Sequence, residues 1–212
     1  MQTSYLCYKN DLPDNLIIEG DIAVDTEAMG LNYNRDRLCL IQIADSLGQV
    51  YLVHFKDRDY SAKNLLRILT NPATIKIFHY ARFDLAMIYK YLGVALKNIF
   101  CTKIASKLCR TYSHYHSLAE LCMEFLNVKI SKNQQTSDWG ALRLTHEQLK
   151  YAVNDVLYLH RLRDLLLIKL QREKRLNIAI ECFRFLPFKV KLDLLGWGNH
   201  DIFSHVHDKN II

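Results

Sequence analysis

Residues 21–27, Asp-Ile-Ala-Val-Asp-Thr-Glu, constrain this chain more than any other stretch. Ile22, Ala23 and Val24 make a short apolar run, which predicts a buried strand. Side chains two apart on a strand leave the same face, so Asp25 and Glu27 emerge together at its end. Ionised carboxylates that close repel and raise each other's pKa, so the fold must offer them solvent or positive charge. A hard divalent cation such as Mg²⁺ or Mn²⁺ is one answer, because oxygen ligands suit it. A solvated turn through Met29-Gly30-Leu31 is another, and this stretch alone leaves both open.

The 212-residue chain is ordinary enough to carry such a strand in one domain. Hydrophobic residues make up 50% and charged residues 24%, sufficient for a real core, and 7 Gly with 3 Pro leave little material for long linkers. The net charge of +6 mildly favours a polyanionic partner. Six cysteines without a C-x-x-C pair are expected to be reduced thiols. The first fifteen residues lack the layout of a secretory signal, and no apolar run approaches the ~20 residues of a membrane span. A soluble, cytoplasmic protein with no membrane partner is expected.

Along the chain, Arg37–Asp45 and Val50–Phe55 read as strands joined through Asp45-Ser46-Leu47-Gly48, hence an antiparallel hairpin. Gln42 interrupts the first of these, and bonding to neighbouring backbone is its expected role. A helix capped by Ser61 and ending near Leu69 leads to a strand over Thr74–Tyr80. A second helix follows over Arg82–Tyr91, with Gly93 as its C-cap. Asp84 falls in the first turn of that helix, where the helix dipole alone would favour a carboxylate. Residues 99–127 read as a short strand and two helices. Thr145 and Gln148 form a capping box opening one long helix through Leu162, on which Tyr151 and Asp155 share a face. Helix is expected again from Arg172 to Phe185, then a packed tail from Pro187. The pattern predicts a mixed α/β sheet of five strands flanked by helices.

These residues carry a resemblance. Asp25-x-Glu27, Phe83-Asp84 and Tyr151-x-x-x-Asp155 are similar in order and spacing to the motifs of the DEDDy 3′-5′ exonucleases. Ser137-Asp138-Trp139 followed by Leu144-Thr145-x-x-Gln148-Leu149-x-Tyr151-Ala152 resembles ribonuclease D. Arg35-Asp36-Arg37-Leu38-Cys39, Lys76 through Asp84, Cys101 through Ser106, Phe185-Leu186-Pro187 and Asp201-Ile202-Phe203 resemble the short nanoRNase C type. The resemblance implies a ribonuclease H-like (DnaQ-like exonuclease) fold. It places an exonuclease domain over 1–170 and a C-terminal helical extension packed on it over 171–212, with no HRDC domain. It also implies a homo-oligomer, with a closed octamer as one form.

The implied activity is metal-dependent 3′-5′ exoribonuclease action on RNA 3′ ends or short oligoribonucleotides, giving nucleoside 5′-monophosphates. Two divalent cations, Mg²⁺ or Mn²⁺, would be held by Asp25, Glu27, Asp84 and Asp155. In that scheme Asp25 bridges, Glu27 and Asp155 serve the water-activating cation, Asp84 serves the other, and Tyr151 orients the water. Phosphodiester hydrolysis needs just such paired cations and several carboxylates. The resemblance extends substrate contact to Met29 and Leu31 as an apolar wedge against the terminal base, and to His79. Lys132, Arg143 and Arg82 are further candidates for holding phosphate. Two other readings stand beside this one. They are a 3′-5′ DNA exonuclease, which the acids do not distinguish, and a catalytically silent RNA-binding scaffold, against which the intact acids argue.

Overall fold

The computed structural model describes residues 4–131 and 133–205. Six strands form one mixed sheet: β1 (Tyr5–Lys9), β2 (Ile22–Ala28), β3 (Leu38–Ala44), β4 (Val50–His54), β5 (Lys76–Phe78) and β6 (Ile99–Cys101). Their spatial order is β1-β4-β3-β2-β5-β6. β3 runs antiparallel to β2 and β4, and the remaining pairs are parallel. The expected five strands are thus six. The additional one, β1, is an edge strand whose side chains stay half or fully exposed, so it leaves no buried periodicity in the sequence.

β2, which carries Asp25 and Glu27, lies within this sheet. Ile22, Ala23 and Val24 are fully buried between β3 and β5. All seven residues of β3 are buried too, as a strand covered on both faces requires. The hairpin turn is closed by Asp45, whose carboxylate accepts from the backbone N–H groups of Leu47 and Gln49.

Helices α1 (Lys63–Leu69), α2 (Ala81–Leu92), α3 (Thr102–Cys109), α4 (Leu118–Leu126), α5 (His146–Leu157), α6 (Leu159–Arg172) and α7 (Leu176–Leu192) cover the sheet. None among the described residues is long and apolar enough to cross a membrane. Gly93 caps α2 in the left-handed region, and Thr145 with Gln148 makes the expected capping box on α5.

Three local expectations are corrected. Ser61 does not cap α1, since its hydroxyl donates to Asp59. The free N-terminal donors of α1, Asn64 and Leu65 N–H, are instead accepted by Asp11 just after β1, at 3.0 and 2.8 Å. The long helix expected from Thr145 breaks at Tyr158 (φ −100°, ψ −5°). The break lets α5 lie across β2 and β3 while α6 packs against α3 and α4. Finally, α7 runs through Pro187 to Leu192 before the chain kinks at Gly196 (φ 94°, ψ 0°) within Asp193–Trp197. An interior proline forgoes the bond to the Phe183 carbonyl and costs about 3 kcal/mol. Burial of Phe183, Leu186 and Val190 offsets this, with Phe183 against Phe100 at 4.8 Å between ring centroids.

Candidate active site

The site is assembled from one strand and two helices. Along β2 the pleat buries Val24 and Thr26 and leaves Asp25 and Glu27 half exposed on the other face. α5 crosses that face, and Asp155 in its last turn completes a cluster. One carboxylate oxygen each from Asp25, Glu27 and Asp155 lies within 4.8 Å of the others. Asp84 comes from the first turn of α2, which follows Tyr80, a non-glycine residue held at φ 68°. Such a conformation costs energy and persists where the surroundings enforce it. Asp84 is buried and accepts a 2.7 Å hydrogen bond from the Thr26 hydroxyl. The buried position between the two acids of β2 therefore holds the acid of α2.

All four carboxylates are harder to ionise than usual. Burial is the largest cause in each case, pushing Asp84 and Asp155 up to about 7 and Asp25 and Glu27 well above the ordinary range. The neighbouring acids add their charges: Asp84, Asp155 and Glu27 raise Asp25, while Asp155 and Asp84 raise Glu27. The Thr26 hydrogen bond to Asp84 and a hydrogen bond from Tyr151 to Asp155 pull the other way. Three hard oxygen donors from β2 and α5 within 4.8 Å of one another, costly to ionise without a counter-charge and with Asp84 of α2 buried nearby, fit a divalent cation.

This gives a pH dependence with a definite sign. A carboxylate raised in the folded state contributes stability that is complete below its unfolded value near 4 and lost as pH rises through its folded value. The metal-free protein therefore carries a growing penalty up to and beyond about pH 7. A cation needs the ionised acids, so it removes that penalty and releases protons on binding. The rise in melting temperature on adding Mg²⁺ in place of EDTA is expected to grow from pH 6 to pH 8. His79, pushed down to about 3 by burial, and Lys76, pushed down to about 8 by burial, titrate in both arms, so the difference isolates the acids. A Mg²⁺-induced shift that does not vary across this range would show that the cluster does not take up the cation.

Tyr151 stands one turn before Asp155 on α5. Its ring packs against Trp139, with centroids 6.0 Å apart. Trp139 is 1% exposed and acts as the packing anchor. Gln148 ties that tryptophan's loop to the helix, donating to the Ser137 hydroxyl and the Asp138 carbonyl at 3.0 Å each. Burial, followed by the charges of Asp155, Glu27 and Asp25, holds the Tyr151 phenol far above its ordinary value. It keeps its proton and is a hydrogen-bond donor.

The peripheral candidates divide. Met29 and Leu31 are 55% and 80% exposed, on the loop after β2. That loop is tied down from α2, where Lys90 donates to the Tyr33 and Asn34 carbonyls and Tyr91 to that of Asp36. His79 follows β5, with Nδ1 2.9 Å from the Thr102 hydroxyl and a further bond to the His116 backbone. Arg82, considered above for phosphate, is bound to Asp193 through two nitrogens and to the Gly198 carbonyl. Arg143 is exposed, and Lys132 lies outside the described residues.

Two residues beside the acids were not singled out for the site from sequence. Thr26 was hidden by its place between the acids, on the opposite face. Gln42 bonds Asp25 rather than backbone: its Nε2 donates to Asp25 Oδ2 at 3.3 Å. The available signal was a polar side chain in an otherwise apolar strand.

A family model described as a 3′-5′ exonuclease matches residues 8–171. The chain belongs to the 3′-5′ exonuclease family. Among members of this exonuclease family, ribonuclease D of Bartonella henselae is 30% identical over 154 residues, covering 73% of this chain and 37% of that protein. The chain spans less than half the length of that relative and of others such as ribonuclease D of Desulfotalea psychrophila, at 39%. Brucella melitensis NrnC, solved bound to pGG, is 45% identical, covering 97% of this chain and 100% of that one with a TM-score of 0.91. The same protein with bound Mg²⁺ gives a TM-score of 0.89 at 45% identity, covering 96% and 100%.

Proposed function

We propose that this exonuclease-family chain is a divalent-metal-dependent 3′-5′ exoribonuclease that removes nucleoside 5′-monophosphates one at a time from short RNA. The observation that carries the reading is the convergence of Asp25, Glu27 and Asp155 within 4.8 Å, with Asp84 buried beside them. The likeness to NrnC, solved with pGG and with Mg²⁺, favours short RNA as substrate.

Two divalent cations, Mg²⁺ or Mn²⁺, would supply an activated water and neutralise charge on the departing oxygen. In this reading Asp25 would serve both, Glu27 and Asp155 one, and Asp84 the other. Thr26 fixes the Asp84 carboxylate so that one oxygen remains for a ligand. Tyr151, retaining its proton, would turn its hydroxyl from Asp155 to the attacking water and orient it. Met29 and Leu31 offer exposed apolar surface to the 3′-terminal base, and such stacking tolerates any sequence. A cytoplasmic, reducing setting accords with six free cysteines.

The test is a time course on end-labelled RNAs from two to about twenty nucleotides, alongside matched DNA, with Mg²⁺, Mn²⁺ or EDTA. Stepwise loss from the RNA 3′ end, absent in EDTA, is expected. Faster loss from DNA would replace this reading with the DNA exonuclease, and no release from either would leave the silent scaffold.

We also propose that the chain works as a homo-oligomer, with an octamer as one closed form. Support comes from the C-terminal surface, where Phe188, Leu195, Trp197 and Phe203 are exposed and Phe185 stacks on Phe188 and lies tilted against Phe203. Exposed apolar side chains grouped in this way suit an interaction surface. Light scattering at micromolar concentration is expected to give a several-fold multiple of the 24.9 kDa chain mass, and a value near 24.9 kDa would rule assembly out.

A further inference from the structure

Gln42 has no assigned part in the chemistry above, yet its surroundings are hard to explain otherwise. It is fully buried in β3, where the other six residues are Leu38, Cys39, Leu40, Ile41, Ile43 and Ala44. In the antiparallel register it stands directly opposite Asp25. The flanking positions on the same face pair Glu27 with Leu40 and Ala23 with Ala44. On its other side it faces Leu52 of β4. Gln42 is thus the one polar side chain that β3 presents to the acids. Its Nε2 donates to Asp25 Oδ2, while its Oε1 is buried with no protein partner among the described residues. An unpaired buried acceptor costs about 1–3 kcal/mol, and an apolar side chain of the same shape would avoid that cost.

We propose that Gln42 is a positioning residue for the metal-ligating carboxylate Asp25. The inference rests on the functional reading above and adds a determinant of cation affinity to it. The choice of an amide follows from the chemistry of the neighbour. Lys or Arg at position 42 would neutralise Asp25 and compete with a cation for it. Glu would add a further like charge to a cluster that already repels itself. An amide NH₂ fixes the rotamer of one carboxylate oxygen without changing the charge of the site, leaving the other oxygen free to ligate. Oε1 is bonded to the same carbon as Nε2 and therefore also lies beside Asp25. In that position it can accept from water brought in by a hydrated cation. Partners that orient a ligand without touching the metal commonly govern affinity by about 10–100-fold.

The test separates positioning from packing because the two predict opposite signs. Gln42→Met keeps the volume and removes both the donor and the unpaired acceptor. The metal-free melting temperature is expected to hold or rise, while the Mn²⁺ dissociation constant, measured by calorimetry, rises about 10–100-fold. Gln42→Asn, which retains the amide but is one methylene too short to hold the present contact, is expected to lose affinity likewise. The second variant answers the question should the first fold poorly. Wild-type affinity in either folded variant would overturn the proposal and leave the active-site reading intact. Absence of Mn²⁺ binding by the unmodified protein would overturn both.

Discussion

Replacing Asp25 with Asn is expected to lower the rate of oligoribonucleotide hydrolysis by roughly three orders of magnitude or more, while the metal-free protein melts at the same temperature or higher. The first half follows from position. Asp25 sits between Glu27 on its own strand and Asp155 across the cleft, with Asp84 the largest single charge acting on it. In the two-cation reading its carboxylate serves both ions. Cation stabilisation of developing charge is worth several kcal/mol, and each 1.36 kcal/mol is tenfold in rate. The second half follows from the same environment read the other way. Burial and three neighbouring acids make the ionised form of Asp25 unfavourable, and the amide supplies a neutral group of the same shape. Activity measured beside a melting curve decides the matter. Substantial hydrolysis by a well-folded Asp25→Asn protein would defeat the assignment, and a large fall in melting temperature would make the residue structural.

Tyr151→Phe is expected to reduce kcat by about 100-fold, at the lower end of what a positioned proton donor or acceptor contributes, with little change in KM. The ring's packing on Trp139 survives the change, so α5 stays where it is. The hydroxyl is lost, and with it the hydrogen bond to Asp155. Because the phenol keeps its proton in this site, the loss is that of a donor to the attacking water rather than of a base. An interaction realised in the transition state appears in kcat. A rise in KM at constant kcat would instead make Tyr151 a substrate-binding residue.

The acids were legible in the sequence because strand and helix periodicities act at short range. Two residues on a strand fixed the shared face of Asp25 and Glu27, and four on a helix placed Tyr151 beside Asp155. The capping box at Thr145 was equally local. What the sequence concealed lies between distant residues. Asp11 caps α1 across more than fifty positions, and Thr26 reaches Asp84 across 58. Gln42 looked like a buried amide in need of backbone, because only the β2–β3 register reveals Asp25 opposite it. The break at Tyr158 carries no Gly or Pro, and it arises from the different surfaces on which α5 and α6 pack. Edge strand β1 escaped because exposure erases the pattern by which strands are read.

Those same long spans govern when the site can come into being. His160 on α6 reaches back 139 positions to the Asp21 carbonyl just before β2, and Arg163 reaches the Asp21 carboxylate across 142. Loop closure over such distances is entropically costly and must precede the contacts that reward it. During synthesis β2 leaves the ribosome early with Asp25 and Glu27 in place, but Asp155 follows only after most of the chain has been made. A nascent chain therefore has half of its acidic cluster long before it has a cleft. On the proposed reading, hydrolytic competence would wait on the docking of α5, which brings Asp155 to Asp25 and Glu27.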